Sequence, residues 1–240
     1  MPLAIAFRIE TFETLPSTQS EARSRLERGD DVAGLVVRAA RQTQGRGRRE
    51  RRWESAPGGS YQTLVVRDPA PPSLGRGAAA VAVAVGLAET LAGYGVRADV
   101  KWPNDLFYRG RKLGGILTEY VRGHLLVGVG LNVGNEPPPG AVALRGWDLE
   151  GVHGAVLAGM QRGLDAWVED PASLPERFRA FDALAGRAVR VDVGGRVVAG
   201  VGHGVDARGC LLLEVEGAAT GRDTVAVCSG SVLLEAGRLP

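Results

Sequence analysis

Hydrophobic and polar positions alternate loosely over residues 5–12, as in a strand with one buried face. Leu15-Pro16 breaks the alternation, and Ser17-Thr18-Gln19-Ser20-Glu21 follows. Ser17 or Thr18 can cap a helix, and Thr18 with Glu21 has capping-box spacing. That helix turns Ala22 and Leu26 inward and stops near Gly29. An apolar run over 34–40 predicts a buried strand, and Pro57-Gly58-Gly59 turns the chain into another from Ser60 to Val66. Residues 68–72 are a proline-rich connection, and Ser73 is expected to open a long helix of small apolar residues to about Ala92. A strand then runs into Trp102-Pro103, where proline stops ladder pairing. Further strands are predicted from Asp105 to Tyr108, from Lys112 to Tyr120 and from His124 onward. Residues 149–168 and 173–184 read as helices. From Gly186 the texture changes to short alternating strands separated by Gly194-Gly195 and Asp206-Ala207-Arg208-Gly209, and a small barrel is the natural outcome. The pattern predicts interspersed strands and helices over the first three quarters of the chain and, from Gly186, a small β-barrel.

Composition changes this picture little. Hydrophobic content of 45% and charged content of 23% suit an ordinary soluble globular protein. The apolar stretch 78–92 is interrupted by Gly86 and Glu89, so a buried helix is expected and not a membrane span. The N-terminal apolar run is too short for export, and a cytoplasmic protein is expected. Cys210 and Cys228 are then expected as buried free thiols. His124, His153 and His203 are scattered and form no triad or metal set.

Charge changes it more. The net charge is only +2, yet six of the twelve residues before Trp53, from Arg41 to Arg52, are arginine. This basic loop, Arg41-Gln42-Thr43-Gln44-Gly45-Arg46-Gly47-Arg48-Arg49-Glu50-Arg51-Arg52-Trp53, has nothing with which to fill a core. Arginine forks pair bidentately with phosphate or carboxylate oxygens. Nucleic acid and a small phosphorylated ligand are both open readings; the glycines favour the small ligand, because a plain electrostatic patch does not need them. The loop lacks the Gly-Lys-Ser/Thr ending of a Walker A motif. Of 29 Lys plus Arg only Lys101 and Lys112 are lysine, and both fall in unusual stretches. Lys101-Trp102-Pro103-Asn104-Asp105 brings a cation, an aromatic plate and two polar groups together. In Lys112-Leu113-Gly114-Gly115, glycines inside a strand suggest that something lies flat against the backbone. Gly128 and Gly130 allow the same, and Asn132 is a lone polar residue needing a partner, a purine edge being one candidate.

Taken together, Gln42-Thr43-Gln44-Gly45-Arg46-Gly47-Arg48-Arg49, Lys101-Trp102-Pro103-Asn104-Asp105 and Arg111-Lys112-Leu113-Gly114-Gly115-Ile116-Leu117 strongly resemble the biotin–protein ligases in order and spacing. Ser17-Thr18-Gln19 before them and Gly128-Val129-Gly130-Leu131-Asn132-Val133 after them extend the resemblance from about residue 10 to the end. It implies an α+β class II synthetase/biotin–lipoate ligase-like fold, a mixed β-sheet flanked by helices in a catalytic domain over 1–185, with a small SH3-like C-terminal β-barrel domain over 186–240. It implies activation of biotin by ATP to biotinyl-5′-adenylate, with Mg²⁺, and transfer to a lysine of biotin carboxyl carrier protein. Lys112, Arg48 and Arg46 are the catalytic candidates it indicates. For biotin it implies Ser17, Thr18, Gln19, Gln42, Arg46, Gly47, Arg48, Lys112, Gly114, Gly115, Gly128 and Gly130. For ATP it implies Arg48, Arg49, Trp53, Trp102, Asn104, Lys112 and Asn132, and it names no metal ligand. A homodimer is allowed; DNA and membrane partners are not expected, because the first strand begins within about ten residues of Met1 and leaves no room for a helix-turn-helix domain.

The sequence also departs from the family. Gln19 replaces the usual Asn, and Glu50 replaces a Gly, where a carboxylate could pair with a loop arginine. Ser60-Tyr61-Gln62-Thr63 stands for the usual Leu-Tyr-Leu-Ser, and a Thr-Ser pair is missing near Ala141-Val142-Ala143-Leu144. The alternatives are a lipoate–protein ligase, which would lack the Gly-Arg-Gly-Arg-Arg run, and a non-catalytic biotin- or nucleotide-binding regulator, which would not need Lys112.

Overall fold

The computed structural model describes residue 3 and residues 5–69, 75–216 and 221–233. Seven strands form the larger sheet: β1 (Arg8–Leu15), β2 (Leu35–Gln42), β3 (Ser60–Arg67), β4 (Asp99–Lys101), β5 (Asp105–Tyr108), β6 (Arg111–Val121) and β7 (His124–Leu131), in the order β1-β2-β3-β7-β6-β5-β4. β1 and β2 are parallel and the remaining pairs antiparallel, so the sheet is mixed, as expected. The parallel pair follows from the crossover helix α1 (Thr18–Arg28). Ser17 caps that helix, with its hydroxyl accepting from Ser20 N at 3.4 Å. β1 starts later than the alternation suggested and continues to Leu15, because residues 11–15 still pair with β2 as far as Gln42.

Alternate residues of the central strands go to opposite faces. Val36, Leu64 and Val66 join the main core with α2 (Ala78–Gly93) and α3 (Leu149–Glu169). Leu35, Val37 and Val65 join a smaller core under α1 with Ala22 and Leu26. The expected helix start at Ser73 lies outside the described residues; the described helix begins at Ala78. The predicted helix over 173–184 is shorter, α4 (Leu174–Arg179). Residues 181–183 leave it to lie along β4, with Val100 N donating to Phe181 O and Ala183 N to Val100 O.

The second sheet is antiparallel: β8 (Ala188–Val193), β9 (Arg196–Val205), β10 (Leu211–Glu216), β11 (Arg222–Val227) and β12 (Ser231–Val232), in the order β11-β10-β9-β8-β12. Val191, Val205 and Leu211 share one apolar cluster with Val100 and Trp102 of the first sheet. Cys210 and Cys228 are not free thiols: they are joined by a disulfide. They stand just beyond the Leu211↔Val227 pair, so antiparallel pairing of β10 with β11 brings the sulfurs together. No helix among the described residues is long and apolar enough to cross a membrane.

Candidate functional site

A cleft of about 180 Å³, open to solvent, lies on the α1 side of the large sheet. Its floor is β3, β6 and β7, where Thr63 pairs with Gly128 and Gly130 pairs with Gly115. The missing side chains matter there. A Cβ on Gly128 would meet the Gln19 amide oxygen at 2.5 Å, and one on Gly130 would meet the Trp53 indole at 2.6 Å. Both groups therefore lie flat on the backbone. Gly114 differs: it does not line the cleft, and its Cβ position falls against the Leu131 side chain. Glycine is needed at 114 for packing.

One end of the cleft is polar and uncharged. Thr18 donates from its N–H (2.8 Å) and its hydroxyl (3.2 Å) to Gln42 Oε1, and Gln42 Nε2 donates to Ser55 Oγ at 2.7 Å. The Thr63 hydroxyl is 2.9 Å from the Thr18 hydroxyl and 3.2 Å from Gln19 Oε1. The Gln19 side-chain nitrogen and the Trp53 indole nitrogen are buried donors with no acceptor among the described residues. Both residues line the cleft. A buried unpaired donor is costly, and a ligand acceptor would relieve it.

The other end is charged. Lys112 Nζ donates to Asp105 Oδ1 at 2.6 Å, and Lys101 Nζ to Asp105 Oδ2 at 3.4 Å. Burial alone would raise the Asp105 carboxyl, but Lys112 and then Lys101 outweigh it and hold it below the usual carboxylate range. Burial lowers the Lys101 ammonium from its ordinary value in spite of Asp105. Arg48 Nη1 donates to Asn104 Oδ1 at 3.0 Å, and Asn104 in turn donates to Ile116 O at 2.8 Å. Burial, then Arg49, lowers the Arg48 pKa. The site thus stores positive charge in a partly dry place, where it acts more strongly on an anion than it would in water.

Ser17, Thr18, Gln19, Gln42, Arg46, Gly47, Arg48, Arg49, Trp53, Asn104, Lys112, Gly115, Gly128 and Gly130 are all brought to this cleft. Arg46 and Arg48 do not converge on one point. Arg46 reaches Glu119 with two bonds of 3.0 and 3.3 Å, whereas Arg48 points at Asn104. Trp102 and Asn132 are not in the lining. Trp102 is buried with its indole N–H on Gly209 O at 2.9 Å, and Asn132 is buried, accepting from Asn135 Nδ2 at 3.0 Å. The anticipated pairing of Glu50 with a loop arginine does not occur among the described residues; Glu119 and Asp192 take that part.

The expected site residues did not include Lys101, Asp105, Thr63 or the second sheet's Ser231 and Val232, all of which line the cleft. The scarcity of lysine and the Lys101-Trp102-Pro103-Asn104-Asp105 run were the available signals for Lys101 and Asp105. Ser231 and Val232 carried none, because only tertiary folding brings them near. No three His, Cys, Asp or Glu among the described residues gather to hold a metal.

Residues 11–135 match the family described as the biotin/lipoate A/B protein ligases. The chain is 32% identical to the biotin–[acetyl-CoA-carboxylase] ligase of Mycobacterium tuberculosis, over 90% of this chain and 85% of that protein. It is 29% identical to the bifunctional ligase/repressor BirA of Escherichia coli, over 85% of this chain and 69% of that one. Its fold superposes on the biotin protein ligase of Aquifex aeolicus, solved with biotin and ATP, with a TM-score of 0.80 at 24% identity over 95% of this chain and 99% of that chain.

Proposed function

The chain belongs to the biotin/lipoate A/B protein ligase family, and from that premise we propose that it is a biotin–protein ligase whose cleft activates biotin with ATP. One observation carries the reading: a glycine-floored cleft has neutral hydrogen-bonding groups at one end and Lys101, Lys112 and Arg48 at the other. Biotin has the matching polarity, a neutral ureido ring and a carboxylate at the far end of an alkyl chain. A lipoyl group would leave the Gln19 side-chain nitrogen without an acceptor.

A carboxylate acylates poorly, so it is first activated. A biotin carboxylate oxygen attacks the α-phosphorus of ATP, the bond to the β,γ-phosphates breaks, and pyrophosphate leaves. Two anions must meet, and Lys112, Arg48 and Lys101 lower that repulsion and stabilise the charge of the transition state. Asp105 keeps the two ammoniums at one place without covering either fully. Arg46 reaches this point only by leaving Glu119. In the second step the ε-amine of the carrier lysine attacks the acyl carbon, AMP leaves with the bonding pair, and the amine loses a proton. Between the steps the arginine loop shields the adenylate from water. Mg²⁺ is expected to arrive on the nucleotide phosphates, since Asp105 is the acidic residue in the cleft lining and is held by two lysines.

The carrier is a biotin carboxyl carrier protein, the compartment the cytoplasm, and the boundary between the ligase and C-terminal units falls at 185/186, just before β8. ATP–pyrophosphate exchange with Mg²⁺ tests the reading. Exchange is expected with biotin and not with lipoate; exchange with lipoate alone, or with neither, would overturn it.

A further inference from the structure

The tip of the arginine loop is held from the second sheet. Arg49 and Glu50 have φ of 53° and 59°. Residues other than glycine persist in this left-handed region when their surroundings hold them there. Arg49 Nη1 donates to Asp192 Oδ2 at 3.1 Å, and Arg48 Nη2 donates to Gly230 O at 3.2 Å. Asp192 is itself fixed, since its Oδ1 accepts from Gly195 N at 2.7 Å in the turn after β8. Asp192 also pairs with Ser231, and Ser231 and Val232 line the cleft. Asp192 on β8 and Gly230 just before β12 therefore anchor the loop at one strand pair, and β12 of that pair forms part of the ligand site.

We propose that Asp192 is a positioning residue for the ligase reaction: it latches the arginine loop over the cleft, so that adenylate formed beneath it waits for the carrier lysine. This rests on the ligase reading. Asp192 touches neither substrate nor reacting atoms and acts through Arg49. The pair is partly exposed, with side-chain exposures of 40% and 30%, so its share of loop closure is roughly threefold to fivefold. A weak latch suits the task, because the loop must open in every cycle to admit a lysine.

The loop carries its own reporter, since Arg46, Arg48, Arg49, Arg51 and Arg52 are all trypsin sites. Full-length protein is compared with Asp192→Asn, which keeps the size of the side chain, and Asp192→Arg, which repels the loop. Cleavage within 46–52 is expected to quicken roughly threefold in the first and by more than about tenfold in the second, where repulsion adds to the lost pair. Cleavage elsewhere should stay as in the wild type, apart from the new trypsin site that Asp192→Arg itself introduces at position 192, and the Tm of Asp192→Asn, which keeps the acceptor for Gly195 N, should be unchanged. Both variants should release more free biotinyl adenylate per carrier biotinylated. Arg49→Asp combined with Asp192→Arg should return cleavage at the remaining loop arginines to the wild-type rate. Unchanged cleavage in both single variants would overturn the latch. Faster cleavage without greater release would overturn its role in the reaction. A wild type that makes no adenylate would overturn the ligase reading, and the proteolysis would still judge the latch.

Discussion

Lys112 donates to Asp105 at 2.6 Å and lies 5.5 Å from the Trp53 ring, so its charge is placed between a carboxylate and an aromatic face. An incoming phosphate or carboxylate can share that ammonium without the lysine moving far. Lys112→Ala should cost about 3 kcal/mol of transition-state stabilisation, roughly a hundredfold in biotin-dependent ATP–pyrophosphate exchange. Exchange within a few-fold of wild type would remove Lys112 from the reaction. The sequence made Lys112 conspicuous through the glycines that follow it. Lys101 stood out as a rare residue type in the Lys101-Trp102-Pro103-Asn104-Asp105 run, but its burial did not, because an alkyl stem that buries among β4 and β5 looks the same in a sequence as one that lies on the surface. Trp102 stood out for its chemistry, yet its place was decided by the Gly209 carbonyl 107 residues away. Local spacing carries no information about such a partner.

At the scale of elements, the β1–α1–β2 unit and the β-hairpins were legible because each follows from local periodicity, caps and turns. Less legible was what the other face of a strand does. Ser60 and Gln62, standing where leucines are usual, face α3 and not the cleft. Ser60 Oγ is 2.8 Å from His153 Nδ1, and Gln62 Nε2 donates to His153 O at 3.0 Å. Arg38 Nη1 completes the cluster on Glu150 at 3.3 Å. The polar substitutions on β3 are thus matched by polar groups on α3, which no reading of β3 alone could show. Helices α2 and α3 meet through glycines, and a Cβ on Gly86 would collide with the Gly159 carbonyl and the Gly163 backbone. Gly86→Ala would gain about 1 kcal/mol in helix propensity. Separating the helices should still leave a net loss of about 2 kcal/mol, read as a lower urea midpoint. A stabilised variant would show that the two backbones are not in contact. In the second sheet, the disulfide closes a loop of sequence separation 18. Cys210→Ser with Cys228→Ser, or a dithiol reductant, should lower stability by about 3 kcal/mol. An unchanged Tm on reduction would show that the thiols are free in solution.

Two buried titrating groups on opposite sides of the molecule act against each other when the whole chain unfolds. Burial, and then Arg38, pushes His153 down from 6.5 to about 4. As pH falls through that window the unfolded chain takes up a proton that the folded chain refuses, so stability falls with acid by about 1.4 kcal/mol per pH unit. Asp182 behaves in the opposite sense. Its Oδ2 is buried without a donor among the described residues, and burial raises its carboxyl from 3.8 to about 6. There the folded chain takes up the proton first, so stability rises as pH falls through the same range, with a similar slope. Between about pH 4 and 6 the two nearly cancel, and the wild type should show little slope from either. Asp182→Asn keeps the acceptor for Leu184 N and removes the buried charge. It should be more stable than wild type by up to about 3 kcal/mol at pH 7, and the gain should fade to nothing near pH 4. His153→Gln should show the reverse tilt, losing stability relative to wild type as pH rises from 4 to 6.5. Urea unfolding of the three proteins at half-unit steps from pH 4 to 7 measures both slopes. A gain from Asp182→Asn that is the same at every pH would mean that the carboxylate is solvated in the folded protein, and the cancellation would then be absent.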